Sequence, residues 1–167
     1  MTKTGGTRAP MLTQAGGVFS LTCGVELAIQ ATTENIWKLL TYAEGFPRWN
    51  STVTGIEGEI REGKRLRVHV PGTDRTFTPT VSDVVPNVRM TWTGGFAPLF
   101  KGVRVFELKA SSDGSTEFAM QERFSGLMLP FVKSSLPDFR PIFERYAMDL
   151  SAEAELRQQS QPRSEHK

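Results

Sequence analysis

The longest regular pattern of apolar residues lies near the C-terminus, at about residues 138–158. Apolar side chains recur there at three- and four-residue steps with charged residues between them, which is typical of an amphipathic helix. Asp138 is the predicted N-cap, and Pro141 falls in the first turn, where its missing amide hydrogen costs no hydrogen bond. The apolar stripe, which needs a partner surface, comprises Phe139, Ile142, Phe143, Tyr146, Ala147, Leu150 and Ala154.

The chain before Ser125 shows mainly the alternation of half-buried strands. A first strand is predicted at residues 18–30, followed by a short helix capped by Thr32 and by a tight turn or second short helix at residues 46–50. Six further strands are predicted at residues 52–60, 64–70, 75–85, 88–93, 101–110 and 116–124. Because the turns between them are short, neighbouring strands should be antiparallel. The fold class is therefore α+β, with one curved antiparallel sheet of seven strands around the long C-terminal helix.

Strand parity divides these strands into two faces. The face predicted to meet the long helix carries Leu66, Val68, Val70, Phe77, Val81, Val88, Met90 and Trp92. The opposite face carries Arg65, Arg67, His69, Arg89 and Thr91, which should point to solvent.

The last two strands form a hairpin whose register can be predicted. Ser112, Asp113 and Gly114 suit a three-residue loop with the glycine in the left-handed region. With Ser111 opposite Ser115, the cross-strand pairs are Arg104 with Glu122, Phe106 with Met120, and Leu108 with Phe118. One polar pair therefore lies among aromatic neighbours.

Composition limits the range of functions. A chain of 167 residues with 38% apolar residues suits one domain, and a net charge of +2 without basic runs argues against nucleic-acid binding. One cysteine and two histidines provide no metal cluster, so no metal and no cofactor are expected, and a cytoplasmic protein fits. Residues 1–16 and 158–167 are predicted flexible tails around a domain at residues 17–157. No apolar run is long enough to span a membrane, so no stable membrane insertion is expected.

The order of elements and four spaced motifs carry a family resemblance. The motifs are Ala31-x5-Trp37-x2-Leu40, Phe46-Pro47-x-Trp49-Asn50, Met90-x-Trp92-x-Gly94 and Thr116-x-Phe118-x3-Glu122-x-Phe124-x-Gly126-Leu127. Together they resemble the polyketide cyclase/dehydrase-like branch of the START-like helix-grip superfamily (SRPBCC) over about residues 17–157. The resemblance implies a deep apolar cavity between the long helix and the sheet. Fold alone does not choose between the family's carriers and its enzymes.

The residues favour a non-catalytic binder of a hydrophobic or aromatic small molecule, such as a lipid, a sterol or a polyketide-like compound. Aromatic side chains that share one interior space could line a cavity or simply fill a core. Arg104 and Glu122 could orient a polar group of the ligand or form a structural ion pair. The predicted ligand-binding residues are Phe77, Met90, Trp92, Phe96, Arg104, Phe106, Phe118, Met120, Glu122, Phe124, Leu129, Phe143, Tyr146 and Leu150.

Enzymatic cyclisation or dehydration is the second hypothesis, because such chemistry needs a positioned acid or base. Glu122 is the best candidate, although Arg104 opposite would favour its charged form. His69 is predicted to face solvent, Cys23 has no adjacent histidine, and Tyr42 ends a surface helix. No catalytic residue is therefore assigned beyond the weak candidate Glu122.

Two apolar loops, at residues 94–102 and 126–136, are predicted to frame the mouth of the cavity. They could form a lid hinged at their glycines, a homodimer contact, or a patch that touches a membrane during ligand exchange. As a third class of function, the same loops could make the chain a protein-interaction module. The motif at residues 46–50 has two interpretations as well. Phe46 and Trp49 could plug the end of the barrel or line its deep end.

Overall fold

The computed structural model describes residues 9–161, which form an antiparallel sheet packed against a long C-terminal helix. The strands are β1 (Met11–Gly16), β2 (Ser20–Ile29), β3 (Gly55–Glu57), β4 (Arg67–His69), β5 (Thr76–Phe77), β6 (Thr80–Val85), β7 (Arg89–Phe96), β8 (Phe100–Ala110) and β9 (Thr116–Ser125). The helices are α1 (Thr33–Thr41), α2 (Phe46–Trp49), α3 (Leu129–Val132) and α4 (Phe139–Ser160). This α+β arrangement is the predicted helix-grip fold.

The strands form two sheets, so the prediction of one seven-stranded sheet is wrong. The larger sheet has six strands in the order β1-β2-β9-β8-β7-β6, and the smaller has the order β3-β4-β5. The predicted strand at residues 64–70 divides between them. Its first part runs beside β6, with Leu66 N–H donating to Pro79 and Val81 N–H donating to Lys64, while its second part becomes β4. Pro79 cannot donate to a ladder, which favours the break between β5 and β6 at this point.

The sheet begins earlier than the sequence indicates. Residues 11–16, assigned above to a flexible tail, form the edge strand β1 and pair with β2 from Met11–Glu26 to Gly16–Leu21. At the other end α4 continues to Ser160, so residues 158–160 are helical. Residues 1–8 and 162–167 of the predicted tails lie outside the described residues. Regular structure therefore extends beyond residues 17–157 at both ends.

Helix α4 begins where its sequence predicts. The Asp138 side chain accepts a hydrogen bond from the backbone N–H of Arg140, as an N-cap should. The buried face carries Phe143, Tyr146, Ala147, Leu150, Ser151 and Ala154, whereas Ile142 is exposed. The helix lies over β2 and β1, toward one edge of the six-stranded sheet. Within residues 9–161, no helix has the length and apolar character that a membrane crossing requires.

Parity predicts most, but not all, of the buried face. Leu66, Val68, Val81, Met90 and Trp92 are buried as expected, and Val70 is half-buried. Phe77 and Val88 are exposed instead, at 55% and 46%. Phe77 lies on the two-residue β5 of the small sheet, and Val88 follows the turn at Asn87, whose φ is +63°. Both lie outside the regular strands of the large sheet. Outside those strands, alternation along the sequence no longer determines which face a residue occupies.

The β8–β9 hairpin has the predicted register. Arg104 pairs with Glu122, Phe106 with Met120 and Leu108 with Phe118. Ser111 N–H donates to Ser115, and Gly114 has a φ of +84° in the left-handed region.

Candidate functional site

A row of side chains crosses the six-stranded sheet on the face toward α4. Directly paired residues on adjacent strands share a face, so the register defines the row. From one edge of the sheet to the other, its members are Gln14, Cys23, Glu122, Arg104, Trp92 and Val81. The Arg104 guanidinium carbon lies 5.4 Å from the centre of the Phe143 ring on α4, which places the row beneath this helix.

The centre of this row is an ion pair. Arg104 Nη2 and Nε donate to Glu122 Oε2 at 2.6 and 3.1 Å, and the two side chains are 23% and 13% exposed. Burial alone would lower the pKa of Arg104, but the charge of Glu122 and its hydrogen bonds outweigh burial and the pKa is raised. Arg104 is therefore held in its charged form.

The inward-facing residues that flank the ion pair along β8 and β9 differ between its two sides. On one side the next inward row contains Phe106 and Met120, which are fully buried. On the other side it contains Gly102 and Phe124, and a Cβ on Gly102 would lie 3.6 Å from Glu122 Oε1. Gly102 has no side chain, so the Phe124 ring lies beside it next to the carboxylate, and an added Cβ would contact both.

An aromatic layer lies between α4 and the sheet. The Trp49 ring is 5.7 Å from Tyr146 and 4.9 Å from Phe46, while Phe106 is 5.1 Å from Trp92 and 6.1 Å from Tyr146. These side chains occupy the space where the resemblance implies a deep cavity. In this structure that space is filled, because the short helix α2 contributes Phe46 and Trp49 to it.

Four buried polar groups within or beside this layer have no hydrogen-bond partner among the described residues. They are the indole N–H groups of Trp49 and Trp92, the side-chain amide nitrogen of Asn50 and the hydroxyl of Tyr146. Buried polar groups are nearly always paired, and leaving one unpaired costs about 1–3 kcal/mol. Burial raises the pKa of Tyr146, and the nearby charge of Arg104 opposes this only in part, so the hydroxyl remains a donor. The layer therefore holds three unpaired nitrogen donors and one unpaired hydroxyl that can donate or accept.

The predicted ligand-binding residues divide into three groups. Ten are buried in the core around α4: Met90, Trp92, Phe106, Phe118, Met120, Phe124, Leu129, Phe143, Tyr146 and Leu150. Arg104 and Glu122 are partly exposed at the centre of the inward row. Phe77 and Phe96 are 55% and 69% exposed and lie outside this group. The prediction that Phe77 faces the long helix is wrong, whereas Phe96 lies on the loop predicted to frame the mouth, and its contact with a ligand stays a prediction. Sequence reasoning also left Trp49 and Asn50 out of the site, although their motif allowed a lining role.

A surface cleft of about 300 Å³ opens at the end of the inward row, between the edge of the sheet and the start of α4. Its walls are formed by Gln14, Leu21, Lys133, Leu136, Pro137, Asp138 and Arg140. Gln14 also belongs to the row that carries the ion pair. The cleft therefore exposes the β1 end of the row to solvent. A second depression, of about 320 Å³, lies on the opposite face of the sheet around Gly24 and Ala119.

The other candidate catalytic groups lie in unsuitable places. Burial and the charge of Glu122 raise the pKa of the Cys23 thiol, so it is a poor nucleophile. His69 lies on the small sheet, with Nε2 2.8 Å from Glu57 Oε1. Tyr42 is exposed after α1. Within residues 9–161, no group of three or more His, Cys, Asp or Glu side chains could hold a metal ion.

Comparison with protein families shows which family the chain belongs to. The sequence model of a family described as polyketide cyclase / dehydrase and lipid transport matches residues 23–154. The chain belongs to this family. The match includes the inward row from Cys23 onward, the aromatic layer and most of α4. It confirms the resemblance to the SRPBCC superfamily. No curated protein matches the sequence.

Solved structures show the same fold as this family member at low sequence identity. The hypothetical protein jhp0584 from Helicobacter pylori is 13% identical, with a TM-score of 0.65 over 78% of this chain and 86% of its own. CalU16 from Micromonospora echinospora is 14% identical, with a TM-score of 0.54 over 92% and 98%. A START superfamily protein from Mycobacterium smegmatis is 16% identical, with a TM-score of 0.54 over 83% and 97%.

Proposed function

We propose that the chain binds a hydrophobic or aromatic small molecule, such as a polyketide-like compound, a sterol or a lipid, between α4 and the six-stranded sheet. The observation that carries this proposal is the set of four buried donors without acceptors at Trp49, Asn50, Trp92 and Tyr146. A ligand with an acceptor oxygen, such as a carbonyl, would pair with donors that the described residues leave unpaired. Among the proposed ligand classes, the donors favour an oxygen-bearing polycyclic compound over a plain hydrocarbon chain.

Binding requires the aromatic layer to open, because its rings occupy the space in this structure. A ligand in this space would have to displace the buried Phe46 and Trp49 side chains of α2. Contact between ligand rings and the apolar walls would supply the affinity, at about 25 cal/mol per Å² of apolar surface before ordering costs. Arg104 and Glu122 would meet a polar end of the ligand through Glu122 Oε1, which accepts no hydrogen bond from the described residues.

Catalysis is the second candidate function, as a cyclase or dehydratase with Glu122 as acid or base. It is favoured by the geometry of the carboxylate, because Arg104 engages only Oε2 and no hydrogen bond from the described residues reaches Oε1. It is opposed by the ion pair, because both Arg104 hydrogen bonds are made to Glu122 Oε2 and a proton on that oxygen would displace them. Binding without turnover is therefore the preferred function.

The decisive experiment is native mass spectrometry of the purified full chain, followed by extraction and identification of any bound compound. A discrete hydrophobic adduct that is released unchanged supports a binder, and one that is released chemically altered supports the enzyme. The proposal fails if the protein carries no adduct and also binds none of a panel of apolar fluorescent probes.

Two variants locate the site. Tyr146→Phe removes one unpaired donor and should weaken binding of an oxygen-bearing ligand about tenfold, the ordinary value of one lost buried hydrogen bond. Tyr42→Phe is the matched control, because Tyr42 is an exposed tyrosine outside the layer. Glu122→Gln should keep binding in a carrier and abolish turnover in an enzyme.

A further inference from the structure

Exposed apolar side chains concentrate at one end of the molecule. They come from three separate segments: the β1–β2 turn, the β7–β8 hairpin and the stretch from the end of β9 through α3. We call this surface the tip patch, and its main members are Val18, Phe19, Phe96, Leu99, Leu127 and Phe131. Phe131 and Phe96 are the most exposed, at 77% and 69%. Exposed apolar patches of this kind usually mark a contact site.

Backbone hydrogen bonds join the three segments into one surface. Gly126 N–H donates to Phe19, Leu127 N–H to Pro98 and Met128 N–H to Leu99, at 3.2, 3.0 and 2.9 Å. Gly126 has a φ of +136°, and a Cβ there would lie within 2.2 Å of the Leu99 carbonyl oxygen. This glycine therefore lets two loops touch, which argues against the expectation that it is the hinge of a lid. The tip patch is preformed in the folded chain.

The charge of these segments has one sign. Residues 16–20, 94–102 and 125–133 contain no Asp or Glu, and their two charged residues are Lys101 and Lys133. Lys133 Nζ donates to the backbone oxygen of Gly17, which holds a positive charge beside the β1–β2 turn. An apolar tip with positive charge at its border complements a surface that is apolar inside and anionic outside.

We propose that the tip patch docks the folded chain onto an anionic lipid bilayer. Phe96 and Phe131 enter the boundary between headgroups and acyl chains, and the two lysines lie against lipid phosphates. Apolar side chains at loop tips together with a basic border bind reversibly, because neither contribution alone is sufficient for lasting attachment. A symmetric pairing of two copies would instead bring Lys101 and Lys133 toward the same residues of the second copy, which is unfavourable. This interaction does not depend on what α4 and the sheet bind.

The test is sedimentation of the full chain with vesicles. One set consists of phosphatidylcholine alone and the other of phosphatidylcholine and phosphatidylserine in about a two-to-one ratio. The protein should sediment with the anionic vesicles, and added salt should release it. The double variant Phe96→Ser with Phe131→Ser should lower the partition coefficient at least about tenfold, because two apolar side chains no longer leave water. The double variant Lys101→Gln with Lys133→Gln should remove the preference for anionic vesicles.

The matched control is Leu156→Ser. Leu156 is 60% exposed, but it lies about 25 Å along α4 from Phe139, away from the tip patch. It should bind vesicles as the unchanged chain does, and circular dichroism should show that every variant is folded. The proposal is overturned if the unchanged chain ignores anionic vesicles. It is also overturned if the two Phe variants change only the oligomeric state, since the patch would then be a contact between copies.

Discussion

Arg104 makes both of its hydrogen bonds to the same oxygen of Glu122, and no hydrogen bond from the described residues reaches the other oxygen. The pair lies on facing positions of β8 and β9, between a fully buried apolar row and a row that contains Gly102. Its charges are thus mutually satisfied, while one carboxylate oxygen remains available. This arrangement can serve both a structural and a ligand-orienting role, and the two roles respond differently to mutation.

Glu122→Ala should lower the free energy of unfolding by about 2–3 kcal/mol, because it leaves Arg104 largely buried without a counter-charge. The double variant Arg104→Leu with Glu122→Leu should recover most of this loss, since no uncompensated charge remains. Urea denaturation measures both.

The same hairpin offers a matched control. Lys109 and Glu117 form a pair five residues farther along the same hairpin, with an Nζ–Oε2 distance of 3.6 Å and exposures of 81% and 61%. Glu117→Ala should cost less than about 0.5 kcal/mol. If Glu122→Ala and Glu117→Ala lower the free energy of unfolding equally, burial of the inner pair makes no difference to stability.

The pairing of Arg104 with Glu122 could be predicted because it depends on local chemistry. The sequence of the turn at Ser112, Asp113 and Gly114 selects the loop length, and loop length determines the register of both strands. The start of α4 is predictable for the same reason, since Asp138 and Pro141 act within one turn of helix. Neither prediction needs knowledge of distant parts of the chain.

The features that sequence reasoning missed depend on distant contacts. The strand β1 has little apolar patterning, and it is a strand because the edge of β2 provides a ladder partner. The division into two sheets depends on residues 64–66 running beside β6. Whether an aromatic layer lines a cavity or fills it depends on how far α2 inserts Phe46 and Trp49, which no local pattern specifies. The unpaired donors follow from that insertion.

Tyr146→Phe should raise the free energy of unfolding of the ligand-free chain by up to about 1 kcal/mol. The hydroxyl is buried and has no hydrogen-bond partner within residues 9–161, so its removal relieves a desolvation cost. Thermal and urea denaturation of ligand-stripped protein measure the effect, with Tyr42→Phe as the exposed control. A clear loss of stability in Tyr146→Phe would mean that the hydroxyl is paired in solution.

Gly126→Ala should lower the free energy of unfolding by about 3 kcal/mol, because it adds both backbone strain and a clash with Leu99. Gly114→Ala separates the two causes, since Gly114 also has a positive φ but nothing lies within 4 Å of its added Cβ. Gly114→Ala should cost about 1 kcal/mol. If both variants lower the free energy of unfolding by the same amount, the two loops can move apart enough to avoid the clash with Leu99.

Cys23 should react slowly with a thiol reagent in the folded chain, because it is 1% exposed and its pKa is raised by burial and by Glu122. The rate in folding buffer should be at least about a hundredfold below that in urea. Leu156→Cys combined with Cys23→Ala provides an exposed thiol for comparison. Fast labelling of Cys23 without denaturant would show that the cleft at the β1 edge opens readily as far as the inward row.

The cap of α4 should make stability depend on acid pH. Hydrogen bonds from the Arg140 side chain and backbone hold the pKa of Asp138 below its ordinary value of 3.8. A carboxylate whose pKa is lowered by folding stabilises the fold fully above its unfolded-state pKa, and this contribution is lost as the pH falls through the folded-state pKa. Asp138→Ala removes the contribution at neutral pH, so the difference in unfolding free energy between this variant and the unchanged chain should shrink as the pH is lowered below 3.8.

Urea denaturation across that range measures the difference, and Asp138→Asn should retain part of the cap because its side-chain oxygen still accepts from Arg140. A difference that stays constant with pH would mean that the charge of Asp138 contributes nothing to the start of α4.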